Sequence, residues 1–257
     1  MPTKHNMVSL SESTKAIILG SLLGDGSLKI NPKYMNARFS FRHSIKQKDY
    51  FFWKTNMLKE ISGEKHFWQQ PPDGLSKVDK LRYQSLALPS LSELYRLTHK
   101  GSSFDVRRKW LNEMSSLSLA IWWLDDGSII SNQRKGVICT DGFTEKEVKL
   151  ISQYLKVVWH INAPVGAVNR LSANGQRRQV FRIWFRSTDE LKKFLRIIAP
   201  HVQIKSMLYK IMILYKEPIL QQRWISELAE LTGFSEAELT AIADQRKAQL
   251  KKYQKKI

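Results

Sequence analysis

A single cysteine, Cys139, stands in 257 residues. One thiol excludes an intramolecular disulfide and any cysteine-based zinc cluster, and it suits a reducing compartment. Long apolar runs are missing too: none approaches the ~20 residues that cross a bilayer. The opening stretch MPTKHNMVSLSESTK lacks the apolar segment of a signal peptide. The histidines at 5, 43, 66, 99, 160 and 201 form no metal-spaced pair. Neither a Walker loop nor a dinucleotide glycine fingerprint occurs. These absences set aside disulfide scaffolds, zinc modules, nucleotide-binding enzymes and membrane proteins. A soluble, intracellular protein is expected.

Acids are also scarce, 23 Asp and Glu against 42 Lys and Arg, for a formal net charge of +19. Such an excess needs a polyanion, and nucleic acid is the leading candidate because each phosphate contact releases a condensed counterion. Hydrophobic residues make up 42% of the chain, enough for a large core in one large or two small domains. Basic and aromatic residues interleave in Arg38-Phe39-Ser40-Phe41-Arg42 and in Arg182-Ile183-Trp184-Phe185-Arg186.

The chain contains one unit twice. Residues 17–28, IILGSLLGDGSL, and 118–129, SLAIWWLDDGSI, each run apolar into Asp-Gly-Ser, with Asp25 and Asp126 101 residues apart. Phe51, Leu58 and Ile61 match Val148, Leu155 and Val158 at a spacing of 97, on a helix filled out by Ile151. At the same spacing, Ser90 to Leu94 matches Ser187 to Leu191, and both segments read as capping boxes. Alternation from Tyr83 to Leu88 and from Val180 to Phe185 puts Leu86 and Leu88, like Ile183 and Phe185, on one strand face. Recurrence in fixed order argues for duplication. The expected organisation is an N-terminal arm (1–14), a first repeat (15–112), a second repeat (116–215) and a helical, basic extension (218–257). Its end holds Arg246, Lys247, Lys251, Lys252, Lys255 and Lys256. Each repeat reads helix, strand, strand, helix, strand, strand, helix.

Gly20 and Gly24 share a helical face and Ala120 is small in the second copy, so the two repeat helices can approach closely. Asp25 and Asp126 would then meet at helix C-termini, where dipole and mutual repulsion both disfavour anions. That arrangement calls for a cation, and carboxylates with phosphate oxygens make a magnesium site that can hydrolyse a phosphodiester. Gly26 and Gly127 are expected to supply a left-handed turn.

These residues carry a family resemblance. Ile18-Leu19-Gly20-Ser21-Leu22-Leu23-Gly24-Asp25-Gly26 and Leu119-Ala120-Ile121-Trp122-Trp123-Leu124-Asp125-Asp126-Gly127 resemble the paired motifs of a LAGLIDADG homing endonuclease of the single-chain, intron-encoded kind, over about residues 15–215. The resemblance implies an α+β fold of two pseudo-symmetric αββαββα units. Antiparallel saddle sheets would lie over DNA, and the motif helices would pair. It implies cleavage of both strands with 3′ overhangs, dependent on Mg2+ or another divalent cation. The metal-binding acid of the eighth motif position carries over to Asp25 and Asp126. The sixth position is Leu23 and Leu124 here, a departure that leaves the ligand in place. Asp125 falls beside the ligand, at the helix end, and Ile121 replaces a small residue. The family's lysine near each scissile phosphate carries over to Lys210 in Met207-Leu208-Tyr209-Lys210. Lys100 is nearest in the first repeat, where the usual Pro is absent. Either lysine could instead be a solvated surface charge.

Strand parity selects the DNA-facing side chains: Arg38, Ser40 and Arg42 in the first repeat, with Tyr83 and Ser85, and Arg178, Arg182, Trp184 and Arg186 in the second. Phe39, Phe41, Phe181, Ile183 and Phe185 are expected inside. Loops add Lys29, Asn31, Lys33, Asn132, Gln133, Arg134 and Lys135. Double-stranded DNA is the expected partner, with the protein's own intron RNA as a second candidate. Both half-sites lie on one chain, so no protein partner is required. A non-cleaving regulator and a splicing maturase of the same fold remain alternatives at this level; retention of both acids favours the endonuclease. The segment 226–235 carries a faint helix-turn-helix pattern, with an extra packing helix as the alternative.

Overall fold

The computed structural model describes residues 9–72, 77–130, 133–171 and 175–254. Asn132 of the DNA-facing set, Lys255 and Lys256, His5 and most of the N-terminal arm lie outside them. The chain divides into two compact units, Met1–Trp122 and Trp123–Ile257.

The first unit opens with α1 (Glu12–Leu23), started by Ser11, whose hydroxyl accepts from the Thr14 amide at 3.2 Å. Ala16 to Leu23 are buried without a break, so this helix is enclosed rather than amphipathic. A Cβ on Gly20 would fall 2.3 Å from the Ser118 carbonyl oxygen, within the same unit. The close backbone approach expected at this glycine is present.

From α1 the chain passes directly into β1 (Gly26–Lys29), then β2 (Arg38–Ser44), α2 (Lys48–Met57), β3 (Phe67–Gln70), β4 (Lys80–Gln84) and α3 (Pro89–Thr98). The strands form one antiparallel sheet in the order β1-β2-β4-β3. Its inner face carries Leu28, Phe39, Phe41, His43, Leu81 and Tyr83. The unit continues through a small hairpin, β5 (His99–Lys100) and β6 (Ser103–Phe104), and the short helix α4 (Arg108–Leu111).

Helix α5 (Ser116–Asp126) begins in the first unit and ends in the second. Ser115 and Ser118 cap its start, each hydroxyl accepting from the other's amide. The second unit repeats the order: β7 (Gly127–Ile130), β8 (Lys135–Ile138), α6 (Glu145–Val158), β9 (Val165–Leu171), β10 (Arg177–Phe185) and α7 (Thr188–Ile198). Its antiparallel sheet runs β7-β8-β10-β9. Val148, Ile151, Tyr154 and Leu155 of α6 and Leu191, Phe194, Leu195 and Ile198 of α7 are buried. A 3-10 turn over Lys205–Lys210 follows, then α8 (Pro218–Thr232) and α9 (Glu236–Gln254). These last two helices pack on the second unit through Trp224, Ile225 and Leu228 and through Leu239 and Ala243. Residues 226–235 thus lie in the end of α8 and a turn at Gly233, φ 77°. The architecture is α+β, mixed helices and antiparallel sheets, as expected.

Several local expectations need correction. Gly26 and Gly127 do not adopt the left-handed conformation; each is the first residue of a strand. Glycine is required there for space: a Cβ would lie 2.6 Å from Ser21 Cβ in one case and 2.2 Å from the Trp123 ring in the other. Ser90 does not cap α3, which starts at Pro89 after Leu88, with no side-chain cap. Ser187 does cap α7, but Glu190 accepts from the Asn162 amide and Lys193 instead of closing the box. The described capping box in that unit's α6 is Thr144 with Glu147. Strand β4 ends at Gln84, so Leu86 is exposed rather than inward, and Val158 is exposed at the end of α6.

Candidate functional site

The amide of Gly24 bonds to the Ser21 carbonyl and closes α1, and Asp25 follows before β1 begins. With Gly26 opposite Phe41, the neighbouring strand brings His43 to Asp25: Nδ1 lies 3.3 Å from Oδ2. His43 is buried on the sheet's inner face and the Asp25 side chain is 44% exposed. The carboxylate opens into a polar pocket of about 320 Å3, lined also by Ser27, Lys29, Ser40, Phe41, Arg42 and Arg82. An acid that can hold a hard cation therefore shares a pocket with three cations that can hold a phosphate.

Asp126 closes α5 in the second unit. It is half-buried, and its carbonyl oxygen accepts from the Cys139 amide at 3.2 Å. Asp125 is half-buried beside it. Lys210 is no solvated surface charge: its side chain is buried and its ammonium donates to the carbonyl oxygens of Leu124 and Asp125. It meets backbone groups that a helix leaves open at its C-terminus, the end that favours a cation. Lys100 is exposed in the small β5–β6 hairpin, outside both four-stranded sheets.

Register sorts the remaining side chains. On the outer face of the first sheet, Lys29 sits opposite Arg38, Ser27 opposite Ser40, Ser40 opposite Gln84, and Arg42 opposite Arg82. Trp68 extends the Arg82 row. Arg38, Ser40 and Arg42 thus share one face, as parity predicts, and Lys29, expected in a loop, is instead the last residue of β1 on that same face. Tyr83 and Ser85 do not join them. Both are buried, with Tyr83 bonded to Ser62 and Ser85 accepting from the Phe39 amide. The expected parity was one residue out, and the side chains it missed are Lys80, Arg82 and Gln84. In the β1–β2 loop, Lys33 is exposed, and the Asn31 side chain accepts from the Lys33 amide.

On the second sheet, Arg178, Arg182 and Trp184 share a face with Arg170, whose place there follows only from the pairing of β9 with β10. Arg186 is exposed just beyond β10. Trp184 lies across Gly166, where a Cβ would come 2.7 Å from the indole nitrogen. Phe181 is only half-buried, while Ile183 and Phe185 are fully buried as expected. Lys135 is exposed and Arg134 half-buried. Gln133 is withdrawn from the expected surface. It is buried at φ 61°, its side chain accepts from Arg246 at 2.7 Å, and its carbonyl accepts from Leu214. Among the described residues no helix is long and apolar enough to cross a membrane.

Each unit therefore joins an acid at the end of a motif helix to an antiparallel sheet with a basic outer face. The chain belongs to the LAGLIDADG DNA endonuclease family, whose model matches residues 15–194. It is 30% identical over 217 residues to a protein named RecA of Mycolicibacterium flavescens, covering 79% of this chain and 47% of that one. It spans about half the length of such curated relatives. It is also 25% identical over 173 residues to DNA endonuclease I-ChuI of Chlamydomonas applanata, covering 60% and 77% of the two chains. The solved structure of the homing endonuclease I-WcaI bound to its DNA recognition sequence shares the fold, with TM-score 0.66 and 17% identity over 84% of this chain and 96% of that one.

Proposed function

We propose that this chain is a site-specific endonuclease that makes metal-dependent double-strand breaks at a long, asymmetric DNA target. One observation carries the reading: Asp25 opens into a pocket that it shares with Lys29, Arg42 and Arg82. The donor set suits Mg2+ or a similar hard cation, because an accessible carboxylate offers the oxygen ligand such ions prefer. Asp25 and Asp126, one in each unit, are the residues that would hold divalent metal. Bound there, a divalent ion supplies an activated water and a stabilised leaving oxygen.

The chain's own residues do the rest. Arg42 and Arg82 bind the phosphate beside Asp25. His43 orients the Asp25 carboxylate from inside the sheet. Lys210 acts as a positioning residue, fixing the last turn of α5 and so the placement of Asp126. Arg38, Arg178, Arg182 and Gln84 contact base edges or phosphates from the two outer faces.

The test is selection of cleaved molecules from a plasmid library carrying a randomised duplex segment, with magnesium and with a chelator. Recovery of one long sequence, cut on both strands only with the metal, is the expected result. Tight binding without cleavage in magnesium would replace this reading with a non-cleaving regulator or an RNA maturase.

A further inference from the structure

The outer face of the second sheet carries an acid that the proposed reaction does not use. Asp141 lies on the loop between β8 and α6, a loop fixed to β10 by the Thr140 hydroxyl, which donates to the Phe181 carbonyl at 2.6 Å. The Arg182 guanidinium grips this carboxylate at two points, Nε to Oδ1 at 2.7 Å and Nη2 to Oδ2 at 2.8 Å. Arg170 donates to Oδ2 as well, and Arg178 Nη2 donates to the Asp141 carbonyl oxygen at 2.7 Å. Three arginines of one sheet face thus converge on one residue.

A carboxylate is out of place on a surface built only to hold phosphates, since it repels them. Its geometry suits another task. An arginine loose in solvent meets a phosphate as readily as a base, whereas a bidentate carboxylate fixes the guanidinium plane and its free edge. Arg182 and Asp141 are only 18% and 20% exposed, so the pair is embedded in the face rather than waving above it. Of the five N–H groups on Arg182, Asp141 takes Nε–H and one on Nη2. Among the described residues the Nη1–Nη2 edge stays open, and it matches the two acceptors, O6 and N7, that guanine shows in the major groove. The Trp184 indole across Gly166 stands next to it on the same face.

We propose that Asp141 is a specificity-determining positioning residue, which aims Arg182 at one guanine of the target while Arg170 and Arg178 take flanking phosphates. The inference rests on the endonuclease reading for its ligand, duplex DNA. It leaves the two motif acids untouched, so cleavage chemistry is not its readout.

The experiment is repeated selection of bound duplexes from a randomised double-stranded DNA library, in calcium or without metal. It uses the wild type, Asp141→Asn and Arg182→Lys, with thermal unfolding measured alongside. The wild type enriches a sequence with a guanine in one half. Both variants lose preference for that same guanine, roughly tenfold or more, and keep the rest of the sequence. Asp141→Asn binds unselected DNA no more weakly than the wild type, having lost a negative charge. Arg182→Lys keeps the cation and loses the fork, which locates the base pair Arg182 reads. Asp141→Glu, which keeps the charge and displaces the carboxylate, is selected in parallel, so that the aim of Arg182 is tested even if Asp141→Asn fails to fold. An unchanged guanine preference, losses at different base pairs, or uniform weakening on every sequence would each overturn the proposal. A wild type that enriches no sequence overturns the endonuclease reading and this inference together.

Discussion

Trp123 and Lys210 hold one another across the second unit. The indole N–H donates to the Lys210 carbonyl oxygen at 2.8 Å, and the lysine ammonium returns to the Leu124 and Asp125 carbonyl oxygens at 2.5 and 3.2 Å. Lys210→Met keeps the apolar stem and removes the donor. It leaves helix-end carbonyls buried without that partner, a loss of about 2 kcal/mol. Urea denaturation should show the drop, and cleavage should fall with it, because Asp126 stands on that turn.

The two motif acids give the sharpest chemical test. Asp25→Asn and Asp126→Asn each remove the negative charge of a proposed metal ligand and preserve side-chain size. Double-strand cleavage should be lost by orders of magnitude while DNA affinity stays within a few-fold. Asp125→Asn should be milder. Plasmid linearisation and binding, measured side by side for the three variants, decide the matter. Full cleavage by either of the first two would remove the catalytic assignment.

The glycines after the acids should be intolerant for reasons of space. Gly127→Ala drives a methyl into the Trp123 ring, and Gly26→Ala drives one into Ser21. Each should lower stability by about 3 kcal/mol in chemical denaturation. Gly233→Ala is the contrast. Its φ is 77° and a Cβ there meets nothing within 4 Å, so only backbone strain, about 1 kcal/mol, is expected.

Binding should weaken steeply with salt. Six or more neutralised phosphates give a log–log slope of about −5 or steeper. Arg82→Ala should reduce the magnitude of that slope by about one, through the loss of a single phosphate contact. Gln84→Ala should leave the slope unchanged and alter base preference instead. A near-flat salt titration of the wild type would remove the electrostatic argument.

Burial pushes the Tyr83 hydroxyl up to about 12, only partly offset by its bond to Ser62. The folded pKa lies above the unfolded value of 10.0, so the unfolded chain gives up its proton first. The stability from the protonated phenol is complete below pH 10 and drains away as pH rises toward 12. Tyr83→Phe forfeits the bond to Ser62, about 1 kcal/mol near neutrality. Above pH 10 the gap to the wild type should narrow and then reverse. Denaturant midpoints for the two proteins across pH 8–12 measure it.

The repeat was legible because Asp-Gly-Ser closes two apolar helices, and β2 and β10 because their alternation is long. Strand β4 was not. The apolar Leu86 and Leu88 extend its pattern on paper, but Leu88 already leads into a helix that Pro89 begins. Proline at the first helical position outranks a serine one step later, and the true parity brings Tyr83 inward and Arg82 outward. His43 escaped notice because a histidine without a metal-spaced partner carries no signal. Only the register that sets Gly26 against Phe41 puts it beside Asp25. Asp141 and Gln133 were obscured for a similar reason. Their partners, Arg170, Arg178 and Arg182 for one and Arg246 for the other, are distant in sequence and meet only in the fold.

In the second unit α5 ends at Asp126 and β7 begins at Gly127, with no loop between them. The first unit allows only Gly24 and Asp25 between α1 and β1. There is no slack in either joint. A shift of either sheet therefore drags its carboxylate along, as a stiff lever carries its tip. On the endonuclease reading proposed above, the rigidity that seats the acid on a fitting target would misalign it on a wrong one.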